Sequence, residues 1–175
     1  LMVDLSGRAL AVACQNAVRH DVRQRLQPVR ADFTRPLLRP ESLGLLVSNP
    51  PYVGKTEYEG LSAEVRDFEP VTALVPNFVD SDKIPSHDHH HDHGGSHSHA
   101  PSTPPDKTEG LEHLIAVAQE AFVALKPGGL LLMEHGYAQG AAIKVLLESH
   151  KWENVLILKD LSGHDRVASA RKPAA

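Results

Sequence analysis

Apolar positions along the chain recur at two spacings, and their alternation lays out the elements. Leu1 to Asp4 reads as the end of a buried strand, and Leu5-Ser6-Gly7 as the turn leaving it. Ser6 then caps a helix from about Arg8 to His20, in which Ala9, Val12, Ala13 and Ala17 keep helical spacing. Pro28 to Asp32 is a short second strand. Leu43-Gly44-Leu45-Leu46-Val47-Ser48 is a short continuous apolar run, the mark of a strand covered on both faces, and it stops abruptly at Asn49-Pro50-Pro51-Tyr52. A second helix spans Thr108 to Leu125, with Leu111, Leu114, Ile115, Ala118, Phe122 and Leu125 in phase, and Lys126-Pro127-Gly128-Gly129 reads as its stop and turn. Leu130 to Glu134 is another buried strand. Ala138 to His150 is a helix expected to turn Ile143, Val145, Leu146 and Leu147 inward. Trp152 to Leu158 and Arg166 to Ala170 are the last strands, an antiparallel hairpin joined through Asp160-Leu161-Ser162-Gly163-His164-Asp165. Strands alternating with helices give an α/β class with a mostly parallel sheet.

Residues 80–109 break this rhythm. They are rich in Ser, His, Asp, Pro and Gly and nearly empty of large apolar side chains, so they are expected to be a disordered surface insertion. Seven of the 12 histidines (His87, His89, His90, His91, His93, His97, His99) fall there. The flexible spacing of that loop offers weak binding of Zn, Ni or Cu ions, not one closed metal site.

Composition narrows the function. The chain has 175 residues, 41% hydrophobic and 23% charged, which suits one globular domain. A net charge of -4 gives no general electrostatic reason to bind nucleic acid. Cys14 is the sole cysteine, which excludes an internal disulfide and a cysteine zinc cage; near Ala13 and Ala17 it reads as a small buried hydrophobe. No apolar run approaches the roughly 18 residues that span a bilayer, and no signal peptide precedes the first strand, so the expectation is an intracellular protein without membrane contact.

Asn49-Pro50-Pro51-Tyr52 is the strongest chemical signal, because open parallel sheets place ligands at the C-terminal ends of their strands. Two prolines fix the backbone and aim two acceptors, the Asn49 side chain and the Pro50 carbonyl, at one small region. A planar amide or amino nitrogen is a poor nucleophile whose lone pair is delocalised. Acceptors that hold its N–H groups favour a more tetrahedral nitrogen, and the Tyr52 ring suits both a planar group and a nearby sulfonium. The plainer alternative is a Pro-rich turn after a strand.

Asn49-Pro50-Pro51-Tyr52 with Leu45-Leu46-Val47-Ser48 before it, Glu64-Val65-Arg66-Asp67-Phe68-Glu69-Pro70, Leu125-Lys126-Pro127-Gly128-Gly129 and Lys159-Asp160-Leu161-Ser162-Gly163-His164-Asp165-Arg166-Val167 together resemble the HemK/PrmC family of AdoMet-dependent protein-glutamine N5-methyltransferases. The resemblance runs from Leu1 to about Arg171, interrupted by the His-rich segment. It implies a class I, Rossmann-like methyltransferase fold and transfer of a methyl group from S-adenosyl-L-methionine to the glutamine of the Gly-Gly-Gln motif in class 1 peptide release factors. It also implies that Asn49, Pro50, Pro51 and Tyr52 form the catalytic corner, with Asn49, Pro50 and Tyr52 against the substrate amide and Asn49 also against the cofactor. Glu64 and Arg66, with Glu69, lie in the family signature and either touch substrate or brace their loop. Asp4, at a strand end, can accept both hydroxyls of a ribose, as the matching family residue does for AdoMet; otherwise it caps the following helix in competition with Ser6. Asp32 and Phe33 resemble the family position beside the adenine, though Asp before a loop is commonplace. His135, just past a strand end, is a weaker cleft-lining candidate.

Two family parts have no match: the glycine-rich AdoMet loop after the first strand, and the N-terminal helical domain. Gly128-Gly129 and Gly94-Gly95 stand in the wrong context for that loop. The sequence therefore reads as an N-terminally truncated domain that begins inside the second strand of the order 3-2-1-4-5-7-6 and lacks strand 1. The alternative functions are adenine-N6 methylation of DNA or RNA, where Asn-Pro-Pro-Tyr also occurs, and a non-catalytic metal-binding protein using the His-rich loop. The expected compartment is mitochondrial in a eukaryote and cytoplasmic in a bacterium.

Overall fold

The computed structural model describes residues 1–77 and 110–174, so the expected His-rich insertion over 80–109 lies outside the described residues. Strand β1 (Met2–Asp4) leads into helix α1 (Gly7–Arg19), a 3-10 turn at Arg23–Arg25 and strand β2 (Pro28–Arg30). Strand β3 (Leu43–Ser48) is followed by three short helices, α2 (Lys55–Tyr58), α3 (Ala63–Phe68) and α4 (Val71–Leu74). Helix α5 (Glu112–Ala124), strand β4 (Leu125–Glu134), helix α6 (Gly140–Ser149) and strands β5 (Glu153–Lys159) and β6 (Asp165–Arg171) complete the described chain.

The strands form two sheets. β1 and β2 pair in parallel, Val3 opposite Val29. The second sheet has the order β3-β4-β6-β5, with β3 parallel to β4 and β6 antiparallel to both its neighbours. The α/β class and the terminal hairpin expected from the spacing are both present, and within its sheet only β6 runs against the others. One face of β4 carries Leu131 and Met133, the matching face of β6 carries Ala168 and Ala170, and all four are fully buried. Leu114 and Ala121 of α5 and Ile143 and Leu147 of α6 close that core from the helix side. The alanines of β6 take little room, which lets α6 lie close over the strand.

Three local expectations, on two helices and one turn, are corrected. In α1 the side chain of Ser6 does cap the helix, accepting from the Ala9 N–H at 3.2 Å, but the inward face runs through Leu10, Cys14 and Ala17, with Val12 exposed. The helix rests on a ribbon of only two strands, so a narrow stripe suffices to cover it. In α6, Val145 is exposed: it lies about 200° around the helix from Ile143, whereas Leu147 returns to the same face. Lys126-Pro127-Gly128-Gly129 is a bulge within β4, not a turn before it. The pairing jumps from Leu43 opposite Leu125 to Leu45 opposite Leu130, and Gly128 sits at a φ of 74° that L side chains resist. Helices α2 to α4, four to six residues each, are too short to show a period.

Between the two sheets the architecture is open. A cavity of about 340 Å³ lies between Leu1, Met2 and Val3 on one side and Leu45, Leu46, Val47 and Ser48 on the other, over Phe33, Leu37, Leu38 and Val117. β3 is not covered on both faces as its apolar run predicts: Leu45 and Val47, which line this gap, are 51% and 67% exposed. β1 and β3 are each at the edge of their sheet, so both present an unpaired row of backbone groups.

Candidate active site

β3 delivers Asn49 to the rim of the second sheet, and the neighbouring strands bring two charged groups to the same place. Ser48 pairs with Met133, so Asn49 and Glu134 leave the sheet side by side. Glu134 pairs in turn with Val167, which sets Arg166 at that rim. Asn49 is exposed, Pro50 buried, and Pro51 and Tyr52 half-buried. Four consecutive residues thus pass from solvent into the core, with their φ angles at 50 and 51 locked by the proline rings.

Tyr52 is held at both ends. Its hydroxyl donates to Oε1 of Glu134 at 3.1 Å and accepts from Nη1 of Arg166 at 3.4 Å. Its carbonyl accepts from Nε2 of Gln139 at 3.0 Å, while Oε1 of Gln139 accepts the Gly136 N–H at 2.9 Å. Arg166 also donates to the His135 carbonyl at 3.4 Å, and its Nε lies 3.6 Å from Oδ2 of Asp160. Backbone N–H groups of His164 and Ser162 keep Asp160 anionic by drawing its carboxyl below the ordinary range. Burial pushes the Tyr52 phenol above its usual value, and the Glu134 carboxylate adds to that against the pull of Arg166. The phenol is therefore neutral at physiological pH.

Gly110, where the chain re-enters the described structure, backs this corner. It adopts a φ of 83°, and a Cβ there would overlap the carbonyl oxygen of Tyr52. Gly110→Ala is expected to lower stability by about 1–3 kcal/mol, since backbone cannot yield as a flexible side chain would. Urea unfolding of the variant beside the parent reads it; an unchanged midpoint would show that the corner relaxes freely.

The other sequence candidates are distributed along the same edge and the loops behind it. Asp4 ends β1, and its Oδ1 accepts the Ser6 N–H at 2.7 Å, which turns the chain into α1. The helix itself is capped by Ser6, so the competition for that role is settled in favour of Ser6. Asp32 accepts from the Thr34 hydroxyl at 2.6 Å and from its N–H at 3.0 Å, and these bonds hold its carboxyl below the ordinary range. Phe33 packs edge-on to His113 at 5.2 Å. Glu64 and Arg66 lie exposed on α3, and Arg66 pairs with its own neighbour Asp67 at 3.6 Å, a solvated contact worth little. His135 does not line an open cleft: it is fully buried, its Nδ1 2.8 Å from the Gly136 carbonyl. Cys14 is half-buried on the inward side of α1.

Glu134 and Gln139 are functional candidates that sequence reasoning missed, and Arg166 enters it only as one letter of the closing family motif. The available signal was positional: Glu134 ends the Leu130–Met133 apolar run just as Asn49 ends the other. Among the described residues no group of three His, Cys, Asp or Glu side chains is arranged to hold a metal, and the His-rich segment considered for weak metal binding lies outside them. Among the described residues no helix is long and apolar enough to cross a membrane.

No protein-family model matches the chain. It is 44% identical over 174 residues to the release factor glutamine methyltransferase of Nitratidesulfovibrio vulgaris, covering 98% of this chain and 49% of that protein. The proteins of the same name from Cereibacter sphaeroides (38% identity, 100% of this chain, 51% of the relative) and Pasteurella multocida (32%, 95% and 45%) are similar along the same stretch. The chain thus spans about half the length of the curated relatives it matches. Its fold is similar to that in the crystal structure of a possible exported protein from Bordetella parapertussis, with a TM-score of 0.55 at 17% identity over 98% of this chain and 52% of the other.

Proposed function

Because this chain belongs to the HemK/PrmC family, we propose that it serves AdoMet-dependent N5-methylation of the glutamine side chain in the Gly-Gly-Gln loop of a class 1 peptide release factor. The observation that carries this reading is the acceptor corner at the end of β3, in which Asn49 is exposed beside a Tyr52 anchored by Glu134, Arg166 and Gln139. The Asn49 side-chain oxygen and the Pro50 carbonyl would accept the two N–H groups of the substrate amide. That pulls electron density toward the nitrogen lone pair and fixes the direction from which it attacks. No base is needed first, because the methylated nitrogen carries an extra, acidic proton that water removes.

The strand order supports the class I methyltransferase fold. β2-β1 and β3-β4-β6-β5 correspond to 3-2 and 4-5-7-6, and the place of strand 1 coincides with the cavity between them. Phe33 lines that cavity, and Asp4 and Asp32 are chain neighbours of its lining residues Val3 and Phe33; Asp4 would take the ribose hydroxyls, and Asp32 with Phe33 the adenine. AdoMet, when bound there, supplies the methyl group from a sulfonium. Glu64 and Arg66, exposed on α3, would meet the release factor. The relatives compared are bacterial, which favours cytoplasmic over mitochondrial action.

Transfer of tritium from methyl-labelled AdoMet tests the proposal, with a release factor, its Gly-Gly-Gln glutamine variant and an adenine-containing duplex as acceptors. Label is expected on the unmodified release factor alone. Label on the duplex would instead establish the adenine reading, which the net charge of -4 disfavours.

A further inference from the structure

We propose that Glu134, Arg166 and Gln139 are positioning residues that hold Tyr52 by its hydroxyl and its carbonyl, so that its ring keeps one orientation beside Asn49 during methyl transfer. This rests on the reading of the corner as the amide site and adds the residues that set its geometry. The ring alone does not need them. Tyr52 is half-buried and packs against both the main core and the smaller cluster of Val53, Tyr58 and Val75, contacts that a phenylalanine would keep. The hydroxyl is different: a carboxylate accepts from it while a guanidinium donates to it, which fixes the direction of its hydrogen and hence the position of the ring edge.

Each member of the clamp is itself held. Arg166 is shared among the Tyr52 hydroxyl, the His135 carbonyl and Asp160, and the His135 N–H donates back to the Arg166 carbonyl at 3.0 Å. Gln139 is buried and spans from the Gly136 N–H to the Tyr52 carbonyl, tying the start of α6 to the corner. Three elements therefore meet on one residue: the end of β4, the turn into α6 and the start of β6. A tilt of the ring would move the backbone that presents the Pro50 carbonyl, and transfer rates fall steeply with small misplacements of the reacting groups.

The test has two readouts in a polypeptide that carries these residues behind one further apolar strand and its glycine-rich turn. Tyr52→Phe and Glu134→Gln are expected to lower kcat toward the release factor by about 10- to 100-fold while the KM for AdoMet stays within about threefold. Equal kcat values in parent and variants would overturn the clamp and leave the proposed reaction standing. The second readout is independent of activity: the ultraviolet titration of the parent minus that of Tyr52→Phe isolates the Tyr52 phenol. Glu134 and Arg166 face that phenol, and Asp160 faces Arg166 from behind. Glu134→Gln should lower the pH at which it ionises, and Arg166→Met should raise it. If neither variant moves it, the clamp is refuted even in a protein that methylates nothing; opposite shifts establish the clamp whether or not the reaction is the one proposed.

Discussion

Asn49→Ala is expected to lower kcat for glutamine methylation by about 100- to 1000-fold. The size follows from what the side chain supplies. An amide nitrogen in solution spends its lone pair on the carbonyl, and only an acceptor fixed before the reaction can offset that without reorganising. Asn49 is exposed at the strand end, so its removal leaves no cavity in the core, and the loss would be catalytic and not structural. Asn49→Asp keeps the acceptor and adds a charge, and it should retain more activity than Asn49→Ala. Steady-state methylation rates with purified release factor check both; similar rates for Asn49→Ala and the parent would show that the corner is merely the Pro-rich turn considered as its alternative.

The second large effect lies at the gap between the sheets. A polypeptide limited to residues 1–175 is expected to bind AdoMet more weakly than micromolar and to self-associate. The same residues preceded by one further apolar strand and its glycine-rich turn are expected to bind AdoMet and remain dispersed. The reason is local. β1 and β3 each offer an unpaired edge, and Leu45 and Val47 at 51% and 67% exposure line it with aliphatic surface, the combination that templates pairing with another chain. Asp4 stands at the end of one edge strand and Asn49 at the end of the other, so a cofactor reaching from ribose to methyl must cross the gap between them. Calorimetry and sedimentation of the two polypeptides decide it; micromolar AdoMet binding by residues 1–175 alone would refute this account of the gap.

Much of the fold was legible from spacing. The apolar runs Leu43–Ser48 and Leu130–Glu134 stand where β3 and the final half of β4 lie, and Ser6 caps the helix it was expected to cap. What spacing cannot show is which part of a helix surface meets a partner. Val12 and Val145 point outward because α1 and α6 bury only as wide a stripe as the strands beneath them can receive. The glycines at 128 and 129 look like a turn in sequence, yet the chain folds them into the strand, because Gly128 N–H donates to the Lys172 carbonyl and Lys172 N–H to the Gly129 carbonyl.

The site shows the same division. Asn49-Pro50-Pro51-Tyr52 is local and could be read from four adjacent letters. Its support is not: Glu134 lies 82 positions from Tyr52 and Arg166 lies 114, and only the register of β3, β4 and β6 brings them together. His135 neighbours a strand end, yet the structure buries it one position away from the residue that reaches Tyr52.

The central claim is that this acceptor corner methylates a side-chain amide of a protein. Tandem mass spectrometry of a class 1 release factor, after incubation with the strand-extended polypeptide and AdoMet, tests it most directly. The account predicts the mass of a single added methyl group on the glutamine side chain of the Gly-Gly-Gln peptide, absent when the enzyme carries Asn49→Ala. A release factor recovered with that glutamine unmodified by an enzyme shown to bind AdoMet would contradict it.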